Sequence, residues 1–63
     1  MMRYVDYIYE TVLAECESLD AIYESYITYL VGHIGLEELK KHKLVETCGV
    51  VNGCQLYVLI KKG

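Results

Sequence analysis

The chain has 63 residues with a net charge of -3, and 54 % of its residues are hydrophobic. That length predicts a single domain over residues 1–63, and an apolar fraction above the usual value of about 45–50 % excludes a disordered or linker-like chain. Acidic residues interrupt the apolar positions of the N-terminal half, so we expect no membrane-spanning segment. We also expect no signal peptide, because Asp6 and Glu10 follow Arg3 closely.

The chain has an odd number of cysteines, Cys16, Cys48 and Cys54. A small secreted domain held by disulfides usually carries an even number, so reduced thiols and a cytoplasmic location are expected. The sequence contains no Cys-x-x-Cys spacing, and His33 and His42 are not spaced like a zinc pair. We therefore predict no metal and no cofactor.

Charge and aromatic residues are distributed unevenly along the chain. Residues 1–31 contain six acids and one arginine, a net charge of -5, whereas residues 32–63 contain five lysines and three glutamates, a net charge of +2. All seven aromatic residues are tyrosines, and six of them precede Gly32. A tyrosine ring offers a large contact area together with a hydroxyl that needs water or a partner, which suits half-exposed surfaces and interfaces.

Residues 3–31 show a helical period with few interruptions. Neither proline nor glycine occurs there, and charged residues recur every seven positions opposite the apolar ones, which predicts amphipathic helix. Ser18 is a residue type that caps helices, so the run forms either one helix or two helices split near Ser18. The apolar positions, in two sets at heptad spacing, are Val5, Val12, Leu19 and Tyr26, and Tyr9, Cys16, Tyr23 and Leu30.

The remaining half predicts a short helix and a hairpin. Gly32 favours a helix end, and residues 36–42 have acids first and lysines last, an order that complements the helix dipole. Residues 44–51 and 54–61 read as strands joined at Asn52 and Gly53, a strong hairpin signal. The whole chain is therefore expected to be an α+β domain.

A two-residue turn at that point implies a definite strand register. Val51 would pair with Cys54, and the predicted core face would carry Val45 opposite Ile60, with Gly49, Thr47, Leu56 and Val58 between these pairs. The opposite face would present Val50, Tyr57 and Leu59 together, which makes it a candidate contact surface.

The segment from Leu36 to Lys61 resembles the second half of a winged-helix domain. It reads LEELKKHKLVE and continues through the hairpin, and that family has two leucines three apart in a recognition helix, then a turn, a Leu-Val-Glu strand start and a two-stranded wing. The resemblance implies a winged-helix-like fold. The family commonly has glycine where this chain has Lys43, and the helix here begins with Glu37 and Glu38, so the fold carries over better than DNA binding.

No enzyme is expected, because the chain has no glycine-rich phosphate loop, no nucleophile elbow and no paired carboxylate set in a pocket-sized scaffold. The surplus of apolar area predicts a small non-catalytic protein–protein interaction module that pairs with a second copy or covers a larger protein target. In size and charge it is similar to phage and mobile-element inhibitors of the anti-CRISPR type, which cover the nucleic-acid groove of a host machine. The predicted interface residues are Tyr9, Val12, Leu19, Tyr23, Tyr26, Tyr29 and Tyr57. The predicted acidic face consists of Asp6, Glu10, Glu17, Asp20 and Glu24.

The alternative is a minimal winged-helix DNA-binding transcriptional regulator that acts as a dimer. Lys40, Lys41 and Lys43 would then contact the DNA backbone. For both charged sets, an ordinary solvated surface is the simpler interpretation.

Overall fold

The computed structural model describes residues 3–16 and 19–61. In chain order the elements are α1 (Tyr4–Cys16), β1 (Ile22–Tyr23), α2 (Glu24–Lys41), β2 (Val45–Val51) and β3 (Cys54–Leu59). The strands form one antiparallel sheet in the order β1-β3-β2. The fold is α+β, as the sequence predicts.

Residues 3–31 form two helices, with a strand between them that the helical period does not reveal. α1 ends at Cys16 and α2 begins at Glu24, whereas Ser18 lies outside the described residues. In β1, Ile22 pairs with Tyr57 of β3 and Tyr23 pairs with Leu56. Long-range pairing thus overrides the local pattern. Because the strand resets the helical phase, the predicted apolar stripe does not continue from α1 into α2.

α2 contains a break at Gly32, where the backbone has φ 77° and ψ 172°. This region is essentially restricted to glycine, because a Cβ atom would collide with the neighbouring backbone. The break divides α2 into two arms, residues 24–31 and 33–41. The second arm is the short helix predicted at 36–42, but it begins three residues earlier and ends at Lys41, with His42 as its C-cap.

β2 and β3 meet at Asn52 and Gly53, which have φ of 51° and 78°. Two successive positive φ values are what a type I′ turn requires, and its twist matches that of the strands it joins. Val51 lies opposite Cys54. The Asn-Gly dipeptide therefore forms the turn of the hairpin.

A bulge between Thr47 and Gly49 shifts the register farther from the turn. Thr47 lies opposite Tyr57 and Val45 opposite Leu59, one residue short of the predicted partners. A slip of one residue exchanges the two faces of a strand. Tyr57 is consequently buried and Leu59 packs against the core, so the prediction that these two residues lie on an outer contact face is wrong.

The core lies between one face of α1, both arms of α2 and the inner face of the sheet. Ile8, Val12, Ile27 and Leu39 are its largest fully buried side chains. The hydroxyl of Tyr9 donates a 2.9 Å hydrogen bond to the carbonyl of Ile60, which satisfies the polar end of a buried ring. The other buried hydrophobic residues are Val5, Cys16, Ile22, Leu36, Val45 and Tyr57.

Candidate protein-binding groove

An open groove of about 460 Å³ lies between residues 19–23 and the first arm of α2. Its volume is within the range of about 300–1,000 Å³ that is common for ligand sites. The lining side chains are apolar or aromatic, apart from one serine. They are Leu19, Ala21, Ile22, Tyr23, Ser25, Tyr26 and Tyr29.

Two stacked tyrosines form the helical wall of the groove. Tyr26 and Tyr29 are three residues apart in α2, a spacing that places side chains next to each other on a helix. Their ring centroids are 6.2 Å apart and the ring planes differ by 16°. Tyr29 is 80 % exposed and Tyr26 37 % exposed, whereas Ile27 between them is fully buried in the core. α2 therefore has an aromatic face that no described part of the chain covers.

The predicted interface set is divided by the fold. Three members, Tyr9, Val12 and Tyr57, are 2 %, 0 % and 3 % exposed. A buried side chain has no surface to offer a partner, so the interface prediction is wrong for these three. A helical stripe looks the same whether it faces the chain's own core or another molecule. The members that line the groove are Leu19, Tyr23, Tyr26 and Tyr29.

The groove also includes residues that the sequence analysis does not single out. Ala21 and Ile22 belong to the β1 region and Ser25 to the first turn of α2. The signal that would reveal them is β1 itself, and a two-residue strand has no periodicity of its own.

Tyr57 of β3 contacts side chains near both ends of α2. Its hydroxyl donates a 3.0 Å hydrogen bond to Oε2 of Glu24. Nζ of Lys40 lies 5.6 Å from the centroid of the same ring and 3.5 Å from Oε1 of Glu37. The contact with Tyr57, and less strongly the charge of Glu37, raise the pKa of Lys40. Glu24 and Lys40 thus make contacts inside the fold.

The structure separates the acids of the predicted acidic face, Asp6, Glu10, Glu17, Asp20 and Glu24. Asp6 accepts a 3.1 Å hydrogen bond from Nε of Arg3, and this contact raises the pKa of Arg3. Glu10 is exposed on α1, and Glu17 lies outside the described residues. Asp20 is exposed and lies between two residues that line the groove. Of the described acids in this set, Asp20 is the exposed one that adjoins groove-lining residues in the chain.

Lysines that the alternative function would use lie at the end of α2. Lys41 is its last residue, and Lys43 follows in the turn that leads to β2. Both side chains are exposed. Lys43 has φ 58°, a left-handed conformation that explains why glycine suits this position.

The cysteines are not paired with one another. Cys16 is buried and Cys48 exposed, and burial raises the pKa of the Cys16 thiol. Sγ of Cys54 lies 4.0 Å from Oγ of Ser25. Among the described residues, no group of three or more histidine, cysteine or acidic side chains is arranged to hold a metal ion. The candidate site is the tyrosine-lined groove, a surface suited to contact with another molecule.

In the described part of the chain, neither helix has the length and apolar content needed to cross a membrane. Comparison of the chain with protein-family models, with curated proteins and with solved structures gave no match.

Proposed function

We propose that the protein is a non-catalytic binding module that covers part of a larger protein with its tyrosine groove. The observation that carries this proposal is that Leu19, Tyr23, Tyr26 and Tyr29 are all substantially exposed and line one groove. Large exposed apolar side chains are unremarkable when scattered, but a contiguous group of them marks an interaction site. Tyrosine is also one of the residue types that dominate binding energy at protein interfaces.

The groove has the size of an interface centre. A fully covered aromatic side chain buries about 150–250 Å². At exposures of 47 %, 37 % and 80 %, Tyr23, Tyr26 and Tyr29 together have about 250–400 Å² left to bury, which is a third to a half of the about 800 Å² that each partner buries in a standard interface. Tyr26 and Tyr29 are already stacked. Ordering these rings on binding therefore costs little conformational entropy.

As the class of target, we propose a nucleic-acid-binding machine of a host cell, with this chain as an inhibitor of phage or mobile-element type. The support is the net charge of -3 together with the exposed carboxylates of Asp20 and Glu10. Carboxylates on such a protein take the place of phosphates on the basic surface of the target. Binding of this kind weakens as added salt screens the charges.

Pairing with a second copy is the other way to cover the groove, and it stays a prediction. A twofold contact places the same patch on both sides. Both copies would then bring Asp20, and no lysine or arginine from residues 19–36, to the contact. We therefore favour a different protein as the partner at this surface.

The test is affinity capture from host-cell extract, followed by binding measurements with the purified captured protein. Tyr29→Ala should weaken this binding by about tenfold or more, since it removes the most exposed ring of the groove. Tyr7→Ala is the matched control, because Tyr7 is also exposed but lies on α1 outside the groove. Equal loss in both variants, or binding that neither variant changes, would contradict the proposal.

A second candidate function, DNA binding by a winged-helix dimer, is supported by the order of the elements. The second helical arm and the final hairpin follow one another as the resemblance over Leu36 to Lys61 implies, and two helices joined by a glycine-containing turn are typical of helix-turn-helix proteins. Lys41 and Lys43 are exposed near the end of the second arm. In a gel shift at low salt, this alternative requires DNA binding that weakens when both lysines become glutamate, whereas the leading proposal requires no such binding.

A further inference from the structure

The segment that lines the groove carries formal charge of one sign. Residues 19–36 include no lysine and no arginine, and their formally charged side chains are those of Asp20 and Glu24. Glu24 accepts the hydrogen bond from Tyr57, whereas Asp20 is exposed beside the groove. Residues 19–36 thus contribute negative and no positive formal charge to the potential around the groove.

The tyrosine rings add to this potential. The face of an aromatic ring carries the negative part of its quadrupole and attracts cations within about 6 Å of the centroid. Tyr23, Tyr26 and Tyr29 line one groove, and the ring of Tyr29 is 80 % exposed. The described lining thus presents aromatic rings and no cation, and the carboxylate of Asp20 belongs to a residue between two lining residues in the chain.

The same chain contains an internal example of this combination in which the cation is present. Nζ of Lys40 lies over the ring of Tyr57, and the hydroxyl of that ring is bound to Glu24. In that cluster one tyrosine contacts both an acidic and a basic side chain. The groove has the first two components only.

We propose that the groove binds an arginine side chain, with its flanking aliphatic residues, from a basic segment of the partner protein. This inference rests on the proposed function and specifies the chemistry of its partner. Arginine fits better than lysine, because the planar guanidinium stacks on aromatic faces and is more weakly hydrated than an ammonium group. The apolar lining from Leu19, Ala21 and Ile22 accommodates the aliphatic neighbours.

Charge also argues against the other occupants. A nucleic acid would bring phosphates toward Asp20, and the lining residues offer no basic side chain to receive them. A second copy would bring its own Asp20 to the same place. A basic segment is the occupant whose charge complements the groove.

The experiment uses the full chain and a pair of short probes. One probe is an acetylated five-residue amide in which arginine alternates with leucine, and the other replaces each arginine with citrulline, a neutral side chain of nearly the same shape. Both are titrated into isotopically labelled protein by NMR at low and high salt. We expect the arginine probe to shift the resonances of Leu19, Tyr23, Tyr26 and Tyr29, to bind more tightly than the citrulline probe, and to lose affinity as salt is added.

A pair of variants separates stacking from general apolar contact. Tyr29→Leu keeps an apolar side chain but removes the aromatic face, and should weaken the arginine probe by about 2- to 5-fold, the effect of one exposed cation–π contact. Tyr7→Leu, at an exposed position outside the groove, should leave the affinity unchanged. Since both rings are largely exposed, neither change should unfold the chain.

Three results would overturn the inference: equal affinity for the two probes, NMR shifts confined to residues outside the groove, or an affinity for the arginine probe that Tyr29→Leu leaves unchanged. Groove resonances that move with protein concentration alone would identify a second copy as the occupant and overturn it as well. The proposed function would survive equal affinity for the probes, since it is judged by Tyr29→Ala and the captured protein. The two failures are therefore distinguishable.

Discussion

The hydroxyl of Tyr57 in β3 donates a 3.0 Å hydrogen bond to the carboxylate of Glu24, the first residue of α2. The ring of the same tyrosine lies under Nζ of Lys40, near the other end of that helix. One buried side chain of the sheet thus contacts both arms of α2 on either side of the break at Gly32. Because the first arm carries the tyrosine wall of the groove, Tyr57 links the sheet to the proposed binding surface.

We predict that Tyr57→Phe lowers the free energy of unfolding by about 1–2 kcal/mol, because it removes a hydrogen bond to a charged and partly buried acceptor. Urea denaturation measures this change. Tyr7→Phe is the control, since the ring of Tyr7 is 61 % exposed, and it should leave the midpoint unchanged. If the two variants were equally stable, the contact with Glu24 would not contribute to stability.

Gly32→Ala should lower the free energy of unfolding by about 1–3 kcal/mol, the cost of a strained backbone conformation. Apart from the two neighbouring residues in the chain, a Cβ atom at this position meets nothing within 4 Å, so the cost comes from the local backbone conformation alone. A chemically synthesised chain with D-alanine at position 32 is the matched control, because D-residues favour positive φ. It should retain the stability of the parent chain. A loss as large as that of Gly32→Ala would show that a Cβ is unfavourable there for another reason.

Lys43→Gly is predicted to stabilise the chain. Lys43 has φ 58°, and a left-handed conformation costs a residue with a side chain about 1–2 kcal/mol, of which glycine's greater freedom in the unfolded state cancels a part. We expect a net gain of about 1 kcal/mol in thermal or urea denaturation. Lys41→Gly, two residues earlier at the end of α2, should lower stability by about 0.5–1 kcal/mol. A loss of stability in both variants would contradict the backbone argument.

The buried thiol of Cys16 should make the fold sensitive to alkaline pH. Burial raises its pKa above the ordinary value of 9.0. As pH rises past 9.0, the unfolded chain therefore releases this proton first and the folded state loses stability until its own raised pKa is passed. The raised pKa of Lys40 also lowers the stability of the folded state as pH rises, but above the ordinary lysine value of 10.5.

This dependence is measured as the unfolding free energy from pH 7 to about pH 10. Cys16→Ala should flatten the alkaline decline relative to the parent chain, even though it lowers stability at neutral pH by opening a cavity. Cys48→Ala, at an exposed thiol, should leave the decline as steep as before. Parallel pH curves for the parent chain and Cys16→Ala would rule out the buried thiol as its cause.

Several elements are predictable because their signals are local. The apolar spacing in α1, the helix break at Gly32 and the turn at Asn52 and Gly53 depend on side chains and backbone conformations within a few residues. Whether a given tyrosine is buried or exposed does not depend on local sequence alone. Tyr9 and Tyr29 occur in similar helical patterns, yet one is 2 % exposed and the other 80 % exposed.

By itself, the sequence determined the α+β composition, the helix break, the hairpin turn and the excess of tyrosine in the first half. The tertiary structure alone decided the strand β1, the bulge between Thr47 and Gly49, and which tyrosines remain exposed. The physical reason is that a strand and a buried face exist only in relation to what lies opposite them. Ile22 pairs because β3 is there, and Tyr29 stays exposed because no described element packs over it.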